Sequence, residues 1–232
     1  CLMKVTIHQP AFLPWAGFWA KVLQSDALIL VEHWQFSTSS YEHRVKVNGS
    51  YLTMPVQSIA ISGKQNTLGT LTVTPTAKQA RTLQQAYLSK KSKHKHEVGF
   101  ILEPFMARVG KTTSLLELNV LLLHRVLELF DATTSGDLPV ILPVSPVAYA
   151  RLVSDDKTEH LSNLLQTFTP NYTQYNSGAG GKNYLDTTKL RNVKFQSLPP
   201  NMSQDSILSW ISQFGSEQTV QQLKTLGEWH DK

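Results

Sequence analysis

A histidine and a glutamine stand side by side near the start of the chain. His8 and Gln9 follow a β-branched segment, and Pro10 and Pro14 stiffen the chain behind them. An imidazole can act as a general base or, when protonated, as a donor to phosphate, and a stiff loop holds such groups at fixed positions. We therefore predict His8 and Gln9 as catalytic residues. The alternative for His8 is a structural role, bonded to a neighbouring carbonyl group.

Three glycines and a lysine lie within six residues at 177–182. Backbone amides that are free of side chains can cradle an anion, and Lys182 adds a point charge. The spacing is not that of a Walker loop. We predict that Ser177, Gly178 and Lys182 bind substrate, with a plain glycine-rich turn as the alternative.

A carboxylate and a guanidinium follow the second apolar run of the chain. Glu32 offers a group for proton transfer, and Arg44 offers a planar fork for phosphate or carboxylate. We predict Glu32 as catalytic and Arg44 as substrate-binding. The alternative for Arg44 is a surface salt bridge.

Aromatic residues cluster in the same part of the sequence, at positions 15, 18, 19 and 34. Such a cluster is either core packing or a stacking wall for a base or sugar ring. Trp15 is the member that we predict to stack on substrate.

The most basic segment of the chain is residues 90–96. It suits a phosphate backbone or an anionic surface, and the alternative is a solvated loop between helices. The predicted nucleic-acid contacts are Lys90, Lys91, Lys93 and Lys95. We predict no metal site, because lysines surround the only close histidine pair, His94 and His96.

The elements that position these residues alternate between strands and helices. Residues 4–8 and 27–32 are predicted strands with a helix at 17–25 between them, and ligands of such βαβ units bind beyond the carboxyl ends of the strands. Asn48-Gly49 predicts a hairpin over 41–55. Further predicted elements are helices at 77–88, 112–130, 158–168 and 203–214 and strands at 140–144, 172–175 and 193–196, with Ser154 or Asp155 capping the third of these helices.

This pattern predicts an α/β fold with a Rossmann-like, mainly parallel sheet. Residues 1–232 form one domain in this interpretation, with residues 76–135 as an inserted helical lobe. The formal net charge of +5 favours anionic partners without choosing among them. One cysteine excludes an internal disulfide framework. No apolar run reaches the roughly 20 residues of a membrane span, and we expect a cytoplasmic protein. The sequence does not establish whether a cofactor is used.

Several segments in order resemble the WbqC-like protein family. Its opening signature is similar to residues 7–18, IHQPAFLPWAGF, and later elements are similar to WQFS at 34–37, LTMPV at 52–56 and YNSGAGGKNYLD at 175–186. Arg44 stands where the family has an arginine. The resemblance adds Gln35 and Tyr184 to the predicted substrate-binding residues.

The chain departs from the family pattern at three places. Glu32 and His33 stand where the family has an acidic pair. The family's His-Pro-x-Tyr-x-Gln stretch is replaced by Leu198-Pro199-Pro200-Asn201, and Ser209 stands where an aspartate is expected. Either the substrate differs, or a catalytic function is supplied elsewhere or lost.

The family is associated with bacterial surface-polysaccharide biosynthesis. The resemblance therefore implies a transferase that attaches an amino acid or another small amine-bearing group to a phosphate-activated acceptor, with a nucleotide-linked sugar as the first hypothesis. A second hypothesis is the same transfer onto a hypermodified base in DNA, through residues 90–96. A third is a non-catalytic module that binds an anion or a nucleotide.

Overall fold

The computed structural model describes residues 3–58, 66–89, 92–134 and 138–232. The strands are β1 (Lys4–His8), β2 (Ala27–Val31), β3 (Arg44–Val47), β4 (Ser50–Thr53), β5 (Val56–Ser58), β6 (Leu71–Val73), β7 (Thr113–Ser114), β8 (Val140–Val144), β9 (Gln174–Ser177), β10 (Val193–Ser197) and β11 (Glu228–His230). The helices are α1 (Ala16–Leu23), α2 (Ala77–Tyr87), α3 (Lys95–Met106), α4 (Leu115–Thr133), α5 (Pro146–Leu152), α6 (Lys157–Phe168) and α7 (Leu208–Leu223).

A six-stranded sheet forms the centre of the protein, in the order β11-β10-β9-β1-β2-β8. Its strands are parallel except β11, which pairs antiparallel with β10. From β1 the chain adds β2 and β8 on one side and later returns to add β9 and β10 on the other. The strand order therefore reverses between β1 and β9, and ligands in open α/β sheets bind beyond the carboxyl ends of the strands at such a point. The predicted α/β class with a mainly parallel sheet is confirmed.

Hydrophobic residues pack on both faces of the sheet, as the alternation along β2 requires. Leu28 and Leu30 join a cluster formed with α1, α2, α3, α4 and α7. Ala27, Ile29 and Val31 face the opposite way, into a cluster formed with α6. All five residues of β2 are buried, as expected for a central parallel strand. The helices at 76–135 share their cluster with α1 and α7, and whether they form a separate lobe stays a prediction.

The local sequence accounts for several of these elements. Asn48 and Gly49 have φ values of 49° and 77°, which is the two-residue hairpin turn that their identities predict between β3 and β4. Asp156 caps α6, because its carboxylate accepts hydrogen bonds from the backbone amides of Thr158 and Glu159. The predicted caps, Ser154 and Asp155, lie two residues and one residue before the observed cap.

Other boundaries differ from the prediction. The helix predicted at 112–130 begins at Leu115, because Thr113 and Ser114 pair with β6 first. The strand predicted at 172–175 runs from Gln174 to Ser177. The last helix lies at Leu208–Leu223 and bends at Gly215, whose φ is 79°. The sequence analysis did not predict α3, α5 or β11. In α3, Gly99 and Pro104 weaken the helical pattern.

Candidate functional site

A cleft with two lobes opens where the strand order reverses. The first lobe has a volume of about 430 Å³ and the second about 350 Å³. Both are lined by His8 at the end of β1, by Lys21 of α1, and by Gly178 and Gly180 directly after β9. These shared residues form the boundary between the lobes. The cleft thus lies at the position that the sheet topology predicts for a ligand.

The first lobe is mainly aromatic and aliphatic. A Cβ at Gly17 would lie 2.6 Å from both the Trp15 ring and Leu198, so this glycine permits their close approach. Trp15 is only partly buried, which leaves part of its ring available to a ligand. The apolar side chains of this lobe are those of Trp15, Phe18, Ala179, Leu198, Pro199, Pro200 and Met202. The proline segment that departs from the family pattern therefore forms one wall of the cleft.

His8 is a neutral imidazole in this environment. Burial, and then the charge of Lys21, lower its pKa to about 3. Its Nδ1 lies 2.8 Å from the Gln9 carbonyl oxygen, and because that oxygen only accepts, Nδ1 carries the hydrogen and Nε2 is left as an acceptor. The ring also meets Phe18 edge to face at 4.6 Å. A neutral ring favours the role of hydrogen-bond acceptor over that of a charged phosphate donor at pH 7, and its low pKa makes it a weak base.

Lys21 is the main residue of the cleft that sequence reasoning missed. It is 7% exposed, and burial lowers its pKa to about 8. Within the described ranges of the chain its ammonium group has no hydrogen-bond or carboxylate partner. A Cβ at Gly178 would lie 3.9 Å from its Nζ, which places the charge beside the glycine-rich turn. The available signal was a single lysine in an otherwise apolar helix, AGFWAKVL.

Glu42 is a second missed residue, in the second lobe. Its side chain is 8% exposed, and among the described residues its Oε2 atom has no hydrogen-bond partner. Burial raises its pKa to about 7, against a hydrogen bond to its own backbone and the opposing charge of Arg44. Glu42 lies in the loop before β3, where no periodic pattern marks a buried position. Glu42 places a carboxyl group in the second lobe, whereas Glu32 lines neither lobe.

One buried amide ties the two segments of the second lobe together. Asn119 of α4 is fully buried and donates to the carbonyl oxygens of Pro10, at 3.0 Å, and of Glu42, at 2.7 Å. Gln9 directly precedes Pro10 in the chain. The side chains of Gln9 and Glu42 both line the second lobe. The amide therefore fixes the loop after β1 relative to the loop before β3.

The cleft contains some of the residues predicted from the sequence. Of these, His8 and Gly178 line both lobes and Trp15 lines the first. Gln9, Ser177 and Tyr184 line the second lobe. The Ser177 hydroxyl donates to the Gly178 carbonyl at 3.2 Å.

Four other predicted residues line neither lobe. Glu32 is partly exposed in the turn after β2, and Gln35 is exposed and bridges through its backbone to Thr67. The Arg44 guanidinium lies 4.6 Å from the centre of the Tyr51 ring and donates to the Ser39 carbonyl. Lys182 is exposed, with its Nζ 5.7 Å from the centre of the Phe195 ring.

The described part of the basic segment, residues 92–96, is also separate from both lobes. Lys93 and Lys95 are exposed at the start of α3, and Lys90 and Lys91 lie outside the described residues. The ring of His94 packs against Gly215, where a Cβ would come within 2.6 Å of it, and approaches Glu97 at 3.7 Å. His94 therefore has a structural contact at the bend of α7.

Two wider features concern metals and membranes. Among the described residues, no three His, Cys, Asp or Glu side chains are grouped so as to hold a metal ion. Every helix in that part of the chain is too short or too polar to span a membrane.

Comparison with known proteins identifies the family. The sequence profile of the WbqC-like protein family matches residues 9–202, which include the residues that line the two lobes except Ile7, His8 and Gln204. Searches of curated proteins and of solved structures gave no match. The profile covers most of the 232 residues, and the chain therefore belongs to the WbqC-like protein family.

Proposed function

We propose that this protein is a transferase that joins an amino acid or another small amine-bearing group to a phosphate-activated acceptor, with a nucleotide-linked sugar as that acceptor. The observation that carries the proposal is the presence in one lobe, among the described residues, of the buried Lys21, which has no carboxylate partner, and of the buried Glu42 carboxyl group, whose Oε2 atom has no hydrogen-bond partner. Burying both groups without partners is costly, and perturbed pKa values of this kind concentrate at functional sites.

The proposed reaction is a displacement at the carbon that bears the phosphate. The amine nitrogen attacks this carbon, a C–N bond forms, and the C–O bond to phosphate breaks. One proton first passes from the ammonium form of the amine to Glu42, which frees the nitrogen lone pair for the attack. The phosphate, as a nucleoside diphosphate when the acceptor is a nucleotide-linked sugar, leaves with the bonding electron pair, and the product carries a secondary ammonium group. With its pKa near 7, the Glu42 carboxyl group is matched to such proton transfer at neutral pH.

Lys21 and the glycine-rich turn would hold the phosphate. With a pKa of about 8, Lys21 is protonated in about nine of ten molecules at pH 7. Its charge lies beside Gly178, and backbone amides of a glycine-rich turn can add donors to an anion. Trp15 and the proline segment of the first lobe would take the ring of the acceptor. A hydroxyl or N–H group of the acceptor substrate would then donate a hydrogen bond to Nε2 of His8 at the boundary between the lobes.

The position of the exposed lysines favours a small acceptor over DNA. Lys93 and Lys95 lie outside both lobes, so they would not add to phosphate binding in the cleft. DNA as the acceptor, and a module that binds without turnover, remain as outcomes of the test.

The test combines ligand binding with a transfer assay. Nucleotide sugars, nucleotides and short DNA are screened by thermal shift at two salt concentrations, because a ligand that binds the native state raises the melting temperature. Mass spectrometry then follows transfer of an added amine. We expect a nucleotide sugar to stabilise the protein and Lys21→Met to remove this effect, whereas Lys78→Met, an exposed lysine outside both lobes, retains it. Salt-sensitive stabilisation by DNA, without stabilisation by a nucleotide sugar, would contradict a nucleotide-sugar acceptor. Ligand binding without any transfer product would contradict the assignment as a transferase.

A further inference from the structure

Two oxygen acceptors in the second lobe lack donors. Among the described residues, Oε2 of Glu42 and Oε1 of Gln9 are buried without a hydrogen-bond partner. Buried polar atoms in native proteins are nearly always paired, and each one left unpaired lowers the stability of the folded protein. Both side chains line the same lobe. A ligand that enters this lobe can therefore replace hydrogen bonds that the protein alone does not provide.

The protein holds these two residues in place from a single point. The Asn119 amide bonds the carbonyl of Glu42 itself and the carbonyl of Pro10, which follows Gln9. Asn119 is fully buried in α4. The two unpaired acceptors thus sit on segments that one rigid helix fixes, which is the arrangement that a selective binding site requires.

The chemistry of the missing ligand follows from the acceptors. A primary ammonium group carries three N–H donors and a positive charge, and hydrogen bonds between charged groups are the strong ones. A hydroxyl group supplies one donor only, and a phosphate at neutral pH supplies acceptors where donors are needed. A quaternary ammonium group has the charge but no donor at all. Glu42 and Gln9 together match the primary ammonium group.

We propose that the second lobe is a subsite for a primary amine, which Glu42 and Gln9 bind through its N–H groups. This inference deepens the proposed function and rests on it for the later chemical step. It places the amine donor in the second lobe, the phosphate at Lys21 and Gly178, and the ring of the acceptor in the first lobe. The ammonium group can belong to an α-amino acid or to a simple amine, and the experiment separates the two.

Isothermal titration calorimetry of the full chain tests the subsite with three probes. Glycine represents an α-amino acid, 1,4-diaminobutane represents a simple amine, and N,N,N-trimethylglycine keeps the charge and carboxylate of glycine without any N–H donor. We expect one or both primary amines to bind and trimethylglycine to bind at least tenfold more weakly. Stronger binding of glycine than of the diamine identifies an amino acid as the donor, and the reverse order identifies a simple amine.

Variants assign the binding to the two side chains. Glu42→Gln keeps the shape of the side chain and removes the charge, and we expect amine binding to weaken tenfold or more. Gln9→Leu removes the second acceptor and is expected to weaken it severalfold. Glu128→Gln, an exposed carboxylate on α4, is the matched control and should bind as the wild type does. Melting temperatures of all variants establish that each one folds.

The outcomes separate this inference from the proposed function. Equal binding of glycine and trimethylglycine, unchanged binding by Glu42→Gln, or no binding of either primary amine would overturn the subsite. If amines bind as expected and no transfer product forms, the subsite stands and the transferase fails. If transfer occurs while Glu42→Gln and Gln9→Leu leave the KM for the amine unchanged, the transferase stands and the subsite fails.

Discussion

Lys21 and His8 line the same two lobes, and the charge of Lys21 is, after burial, the main reason why the pKa of His8 is low. The protonation states of Lys21 and His8 are therefore linked. When Lys21 is protonated, the imidazole stays neutral and keeps Nε2 free as an acceptor. An anion that neutralises Lys21 removes part of this constraint. Substrate binding at the lysine is thus expected to change the basicity of the neighbouring histidine.

Replacing Lys21 should raise the pKa of His8. In Lys21→Met the repulsive charge is gone but burial remains, so the pKa is expected to rise from about 3 without reaching 6.5. NMR titration of the imidazole Hε1 signal measures this change. Lys78→Met is the control and should leave the titration as it is in the wild type. An unchanged His8 pKa in Lys21→Met would contradict the linkage.

Lys21→Met should also alter the pH dependence of stability. The pKa of Lys21 is about 8 in the folded protein against 10.5 in the unfolded chain, so between these values the unfolded chain binds more protons and stability rises with pH. Lys21→Met lacks the titrating group, so its stability does not rise with pH for this reason. We expect it to be more stable than the wild type by about 3 kcal/mol at pH 7, with the difference vanishing near pH 10.5. Urea denaturation at several pH values measures it, and a constant difference would argue against a buried lysine.

The titration of Glu42 should make the stability of the wild type fall as pH rises, which is the opposite of the effect of Lys21, and Glu42→Gln should remove this dependence. The pKa of Glu42 is raised from 4.5 to about 7, so between these values the folded protein binds more protons, and the wild type loses stability as pH rises. The variant is expected to match the wild type near pH 4.5 and to exceed its stability by about 3 kcal/mol at pH 8. Its transfer rate should fall by about 10²-fold or more, as for the loss of a general base. Wild-type turnover in the variant would exclude this role.

Two adjacent glycines should respond differently to alanine. A Cβ at Gly181 would overlap the Ser177 hydroxyl and lie 3.1 Å from Leu185 and 3.2 Å from Phe195, whereas a Cβ at Gly180 meets nothing within 4 Å. We expect Gly181→Ala to lower the free energy of unfolding by roughly 1–3 kcal/mol, as overpacking does. Gly180→Ala should remain within about 0.5 kcal/mol of the wild type, as surface changes do. Equal stability of the two variants in chemical denaturation would refute the packing described for this turn.

Asn119→Asp should impair the second lobe without touching a ligand. The change keeps the shape but replaces a donor with an oxygen that faces two carbonyl groups. We expect a loss of roughly 3 kcal/mol or more in stability, and a larger rise in the KM for the amine than for the acceptor. Asn163→Asp, on α6 and outside both lobes, is the control. If both KM values rise equally, the amide does not position the second lobe selectively.

Local patterns predicted the elements of this fold better than the residues of its cleft. The strands at Lys4–His8 and Ala27–Val31 and the Asn48-Gly49 hairpin depend on near neighbours in the sequence, and they are confirmed. Lys21 was missed because a lysine in a helix is usually solvated, and only the packing of all of α1 reveals that it is buried.

Glu42 shows why the second lobe was not predictable. Its burial depends on Asn119, 77 residues later in the chain, and no spacing rule connects the two. Glu32 instead had the expected place after a buried strand, yet it lines neither lobe. A carboxyl group at the right end of a strand indicates a region of the fold, whereas the direction of its side chain depends on tertiary packing.

The hydrogen bonds of Asn119 also have a consequence for how the protein folds. They join α4 to partners that are 109 and 77 residues distant in sequence, and contacts of such separation form late because closing long loops costs entropy. A partly folded chain in which α1, β1 and β2 have already assembled would still lack the second lobe. Ligand affinity is therefore expected only after α4 has packed against these two loops, which makes amine binding a reporter of that packing.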